Sequence, residues 1–141
     1  MSHNARNKLT LPETVLVVED DAVLALNIEN ALLDAGVKHV ELTATTDDAL
    51  TALRRTPPGA IVLDVHLADR DDGWAVAELV QTLGPDRPQI IFSTGSPNDI
   101  PEEIAAIGVI LEKPYEPEEL VRALREPKAR GLFSRIRSVW R

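Results

Sequence analysis

The chain of 141 residues contains no cysteine, so disulfides, thiolate metal ligands and thiol nucleophiles are all excluded. Aromatic side chains make up only 4% of it. No apolar run approaches the ~20 residues of a membrane span, and Met1 to Pro12 lack the apolar centre of a secretory signal. Basic residues are also scarce. Ten of them precede Pro127 against 23 acidic residues, a charge of −13, which makes this body a poor ligand for the phosphates of nucleic acid. The balance reverses from Pro127 to Arg141, where five basic residues stand and no acidic one. What remains is globular in character: 44% hydrophobic and 27% charged, in a length that suits one domain with a sizeable core. Together these features point to a soluble intracellular protein.

The pattern is organised around Ala60-Ile61-Val62-Leu63-Asp64. Four small or aliphatic residues in succession read as a strand buried on both faces, and the run ends on a carboxylate. Val15-Leu16-Val17-Val18 repeats the arrangement and runs into Glu19-Asp20-Asp21. In open α/β sheets the carboxyl ends of the strands gather ligands and chemistry. Two carboxylates about 4 Å apart repel by ~4 kcal/mol at an effective dielectric near 20. A trio therefore needs a cation, protons or outward-turned side chains.

In chain order, Thr14 to Glu19 is the first strand, and Asp21 can cap the helix carrying Leu24, Ile28, Ala31, Leu32 and Ala35, with Gly36 at its end. Lys38 to Leu42 alternates as an edge strand does. Thr45 or Thr46 caps a helix through Ala49, Leu50 and Leu53 that stops before Pro57-Pro58. After the third strand and a polar loop, Ala68 to Gly73, a helix runs from about Trp74 to Leu83. Gln89 to Thr94 is the fourth strand, ending on hydroxyls. A weak helix follows near Pro101, with Ile104 and Ile107 inward. Val109-Ile110-Leu111 then leads into Glu112-Lys113-Pro114, and Pro117 opens a last helix through Leu120, Val121 and Leu124. Five strands alternating with five helices specify an α/β fold, a doubly wound parallel sheet covered on both faces. The order 2-1-3-4-5 sets the first and third strands side by side.

The strand ends then offer Glu19, Asp20, Asp64, Thr94 and Lys113 to one crevice. This inventory suits phosphoryl transfer to a carboxylate. A hard divalent cation such as Mg²⁺ screens the acids, while a lysine and a hydroxyl hold phosphoryl oxygens.

These residues resemble the CheY-like receiver domain of two-component response regulators, a flavodoxin-like fold. The resemblance spans Thr14 to about Glu126 and rests on Val17-Val18-Glu19-Asp20, Ile61-Val62-Leu63-Asp64, Ser93-Thr94-Gly95 and Glu112-Lys113-Pro114-Tyr115. It implies that Asp64 accepts phosphate from a sensor histidine kinase or a histidine phosphotransfer protein in a bacterial cytoplasm. It further implies that Glu19, Asp20 and Asp64 hold Mg²⁺ with the backbone carbonyl of His66, that Thr94 and Lys113 contact the phosphoryl group, and that Lys113-Pro114 is cis. Two departures stand out. Ala68 occupies the usual proline position, and Gly73 comes one residue late. Ile110 replaces the usual aromatic three residues before the lysine, so a rotating ring at that position is excluded.

Each residue also has a plainer reading. Asp21 serves as a helix cap, Thr94 could bond its own turn, and His66 borders the site with its ring. Asp69, Asp71 and Asp72 form a solvated loop; Trp74 and Tyr115 are packing residues, Tyr115 with the further option of lining a partner face. The organisation read from the sequence is a flexible N-terminus (1–13), the receiver (14–126) and a basic amphipathic tail (127–141). In the tail, Leu132, Phe133, Ile136, Val139 and Trp140 share one side of a helix. The tail either packs on its own domain or contacts a partner or membrane. The resulting expectation is a stand-alone receiver, monomer or homodimer, that switches a downstream protein contact or drains phosphate. It would not turn over small molecules. Two rivals are a pseudo-receiver binding module and a haloacid-dehalogenase-type phosphatase. The latter requires an aspartate where His66 stands, and a cap insertion that is absent.

Overall fold

In the computed structural model, residues 10–67, 74–125 and 135–136 are described. The elements run β1 (Thr14–Val18), α1 (Ala22–Ala35), β2 (His39–Thr43), α2 (Thr46–Arg55), β3 (Ala60–Asp64), α3 (Trp74–Gln81) and β4 (Gln89–Thr94). A 3₁₀ turn (Pro97–Asp99), α4 (Glu102–Ala105), β5 (Val109–Glu112), α5 (Pro117–Arg125) and β6 (Arg135–Ile136) complete the order. All strand pairs are parallel, and the sheet runs β2-β1-β3-β4-β5-β6. The five principal strands thus adopt the flavodoxin-like order 2-1-3-4-5 expected from the alternating pattern. Residues 68–73 of the loop after Asp64, which hold the Ala68 and Gly73 departures, lie outside the described residues.

Alternating side chains of the central strands feed two cores. On one face, Leu16, Val18, Ile61, Leu63, Ile90, Phe92 and Ile110 pack against α2, α3 and α4. On the other, Val15, Val17, Val62, Ile91 and Leu111 pack against Ile28 and Leu32 of α1 and Leu120 and Leu124 of α5. Every residue of β3 is buried, as its unbroken apolar run requires, whereas β2 at the edge is exposed or half-buried throughout. Ile110 is fully buried in the core beside its cross-strand partner Phe92, a packing site rather than a hinge for a ring.

Local signals fix the helix ends. The Asp21 carboxylate accepts the amides of Val23 and Leu24 at 3.0 and 3.1 Å, which satisfies donors that the first turn leaves free. Gly36 ends α1 at φ 116, a left-handed conformation that costs glycine nothing. For α2 the cap is Thr45, whose Oγ1 accepts the Asp48 amide at 3.0 Å. The segment after Ser96 is broken into the 3₁₀ turn and the four-residue α4. Pro101 cannot donate a helical hydrogen bond there. Ile104 is buried and Ile107 is half-buried against the same core.

The tail supplies one correction. Arg135–Ile136 pairs in parallel with Ile110 and Leu111 as a short sixth strand, so at these two positions the backbone is extended and not helical. The outer edge of β5 presents unpaired amides and carbonyls that a strand can satisfy. The remainder of the tail lies outside the described residues. Among the described residues, no helix is long and apolar enough to cross a membrane.

Candidate functional site

Parallel register delivers the ends of β1, β3, β4 and β5 to one edge of the sheet. β1 and β3 are hydrogen-bonded neighbours, so Glu19, just past β1, and Asp64, the last residue of β3, emerge side by side. Carboxylate oxygens of Glu19, Asp20 and Asp64 all lie within 4.8 Å of one another. Glu19 and Asp64 are buried, at 4% and 6% exposure, and Asp20 is exposed. The structure therefore brings together the three carboxylates expected from the sequence.

The lysine arrives from β5. Lys113 Nζ donates to Glu19 Oε1 at 3.0 Å and stands 3.7 Å from Asp64 Oδ2. One ammonium thus partly neutralises two buried acids. Burial pushes the Glu19 carboxyl above its ordinary range. The Lys113 hydrogen bond and the Asp21 backbone N–H pull it back, and the charge of Asp64 adds to the rise. The Asp21 amide reaches Glu19 Oε2 at 3.1 Å, so both carboxylate oxygens of Glu19 are held.

The flanking residues are equally fixed. The His66 backbone N–H donates to Asp64 Oδ1 at 3.0 Å, which leaves Oδ2 turned toward the lysine. The His66 ring is half-exposed and its Nε2 lies 3.5 Å from Asp99 Oδ2. Thr94 is buried; its Oγ1 accepts the Ser96 amide at 2.9 Å, as an ST turn does, and its hydroxyl proton can still be donated elsewhere. The Thr94 carbonyl accepts the Lys113 amide at 2.8 Å, and the Lys113-Pro114 bond is cis.

Two features were not anticipated. The hydroxyls of Ser93 and Tyr115 lie 2.8 Å apart behind the acids, and the ring of His66 finds an acidic partner in Asp99. Neither has a sequence signature, because each joins residues brought together only by the sheet order. A groove of about 750 Å³ between α1 and α5, bordered by Asn27, Asp34, Arg122 and Arg125, contains none of the strand-end residues. Among the described residues the chemistry is concentrated at the strand ends instead.

Comparison with known proteins agrees with this geometry. The model of the response regulator receiver domain matches residues 15–125. The chain is 34% identical over 119 residues to the sensory transduction protein LytT of Bacillus anthracis, covering 81% of this chain and 46% of LytT. The CheY-like receiver domain from Methylobacillus flagellatus superposes with a TM-score of 0.68 at 25% identity, over 79% of this chain and 93% of that one. The receiver domain of the sensor histidine kinase PA1611 from Pseudomonas aeruginosa, solved with a magnesium ion coordinated in its active-site cleft, gives a TM-score of 0.67. Its identity is 28% over 79% of this chain and 93% of that one. The chain belongs to the response regulator receiver family of two-component signalling. It spans about half the length of LytT. Receiver domains are phosphoacceptors that interact with histidine kinases or phosphotransfer proteins, and are not enzymes for small-molecule turnover.

Proposed function

We propose that Asp64 of this chain takes a phosphoryl group from a phosphohistidine on a kinase or phosphotransfer protein, and that the modified site changes contacts with another protein. The observation that carries this reading is the ammonium of Lys113 within 3.0 Å of Glu19 and 3.7 Å of Asp64, beside three carboxylates within 4.8 Å. An ionised Asp64 oxygen attacks phosphorus, an O–P bond forms as the P–N bond to the donor imidazole breaks, and the ring nitrogen takes up a proton. The His66 amide on Oδ1 orients the carboxylate so that Oδ2 is the attacking oxygen. Lys113 and the Thr94 hydroxyl then hold phosphoryl oxygens.

The donor set fits a hard divalent ion: oxygen ligands only, two of the three acids buried, and too much negative charge to remain uncompensated. Glu19, Asp20 and Asp64, with the His66 carbonyl, would hold Mg²⁺, which when bound supplies the positive charge that lets an anionic phosphoryl donor approach an anionic cluster. The test is incubation with Mg²⁺ and acetyl phosphate, read by intact mass. One phosphoryl group is expected on the wild type and none on Asp64→Asn. An unmodified wild type, also in the presence of a phosphorylated histidine kinase, would refute the reading in favour of a binding module. Continuous phosphate release from varied esters would refute it in favour of a phosphatase.

A further inference from the structure

Lys113 must reach the acids from a loop, yet its nitrogen is held at 3.0 Å from one of them. The loop is tied to β4 at two consecutive residues. The Lys113 amide donates to the Thr94 carbonyl at 2.8 Å. Two residues further on, the Tyr115 hydroxyl meets Ser93 Oγ at 2.8 Å. Ser93 is 1% exposed and is the register partner of Asp64 across β3 and β4, so the second tie is anchored directly beside the acidic cluster. Side-chain alternation places Ser93 on the same face as Asp64, the face covered by α1 and α5, and the ring of Tyr115 packs into that core. The lysine is thus clamped from both sides, by a backbone bond at its own residue and by a side-chain bond just beyond it.

We propose that the Ser93–Tyr115 hydroxyl pair is a positioning element for phosphoryl transfer, holding the Lys113 loop against β4 so that the ammonium stays between Glu19 and Asp64. The proposal rests on the phosphoacceptor reading above. It gives this chain an aromatic residue on the face of Asp64 and Ser93, whereas Ile110 is an aliphatic residue sealed in the opposite core. The pair acts through Lys113 and touches no reacting atom. Tyr115→Phe keeps the ring and its packing but leaves the buried Ser93 hydroxyl without its partner, and Ser93→Ala removes the other half.

The experiment measures the rate constant of phosphorylation by acetyl phosphate at saturating Mg²⁺, by intact mass, alongside urea midpoints. Each single variant is expected to slow phosphorylation roughly five- to tenfold, and the double variant no more than the worse single one, because both remove the same bond. Rates within about twofold of wild type in a folded variant would overturn the proposal. So would falls that multiply in the double variant, since they would report two independent packing effects. If Tyr115→Phe does not fold, the rate of Ser93→Ala decides alone. Wild type that gains no phosphoryl group from acetyl phosphate or from a phosphorylated histidine kinase removes the phosphoacceptor reading, and this proposal with it, whereas wild type that gains one while the variants match it removes only the proposal.

Discussion

Replacing Lys113 with methionine should destabilise the metal-free protein at neutral pH and make its stability strongly pH-dependent. The side chain is 25% exposed and faces Glu19 and Asp64, whose side chains are 2% and 8% exposed. At an effective dielectric near 20, attraction across 3.0 and 3.7 Å amounts to roughly 5.5 and 4.5 kcal/mol. Much of that gross attraction offsets the cost of taking three charges out of water. The net loss on removing one member of a buried pair is about 3–5 kcal/mol, and the partial exposure of Lys113 argues for ~3 kcal/mol. The sign of the pH effect follows from Glu19. Its carboxyl is already raised, chiefly by burial, and Lys113 is the largest influence holding it down. Without the lysine it rises further. The folded state then keeps a proton that the unfolded chain releases, so stability falls as pH climbs from the ordinary carboxylate value to the raised one. The variant should therefore be weakest at neutral pH and recover part of the deficit near about pH 5. Saturating Mg²⁺ should recover part of it as well, by supplying the missing positive charge. Urea denaturation at several pH values, with and without Mg²⁺, measures each arm. A deficit at neutral pH below about 0.5 kcal/mol, the range of ordinary surface changes, would refute the reasoning, as would a deficit that grows on acidification.

Two further outcomes follow from the same geometry. Asp21→Ala should cost about 1 kcal/mol of stability through the lost cap of α1 while leaving Mg²⁺ affinity close to wild type, whereas Asp20→Ala should greatly weaken it; calorimetric titration separates the two roles, and equal losses of affinity would contradict the division. Tyr115 is the single tyrosine of the chain, so ultraviolet titration reports it alone. Burial raises its pKa from 10.0 to about 12, so the folded protein should titrate near the higher value and the urea-unfolded chain near the lower. Because the folded state holds the proton more tightly, the contribution to stability is full below about pH 10 and is lost as pH rises toward 12; coincident titration curves would contradict the buried hydroxyl pair.

Much of this site could be read in the chain because a parallel sheet turns sequence position into spatial position. A buried strand that ends in an acid can project that acid only at the sheet's carboxyl edge, so Glu19, Asp20, Asp64 and Lys113 were placed once the order 2-1-3-4-5 was in hand. Asp21 and Gly36 were equally readable, since caps depend on local chemistry. What escaped was of two kinds. Ser93–Tyr115 and His66–Asp99 depend on side-chain reach across strands and loops, which periodicity does not encode. The extended backbone at Arg135–Ile136 depends on the hydrogen-bonding edge of β5, which outweighs the helical spacing of the tail's apolar residues at those two positions. The choice between Thr45 and Thr46 was settled by burial: Thr46 is fully enclosed, and Thr45 is the one whose oxygen reaches the amide.

The uniform strand direction carries one more consequence. The acids, Thr94 and Lys113 all lie at the carboxyl edge of the sheet, opposite the turns that lead from helix into strand. Among those turns Gly84, with φ 88, has open space around the position a side chain would take. Reporter domains or spacers spliced into that turn would sit a full strand length from the acids, so the molecule offers a natural handle for tethering or labelling that leaves its reactive end untouched.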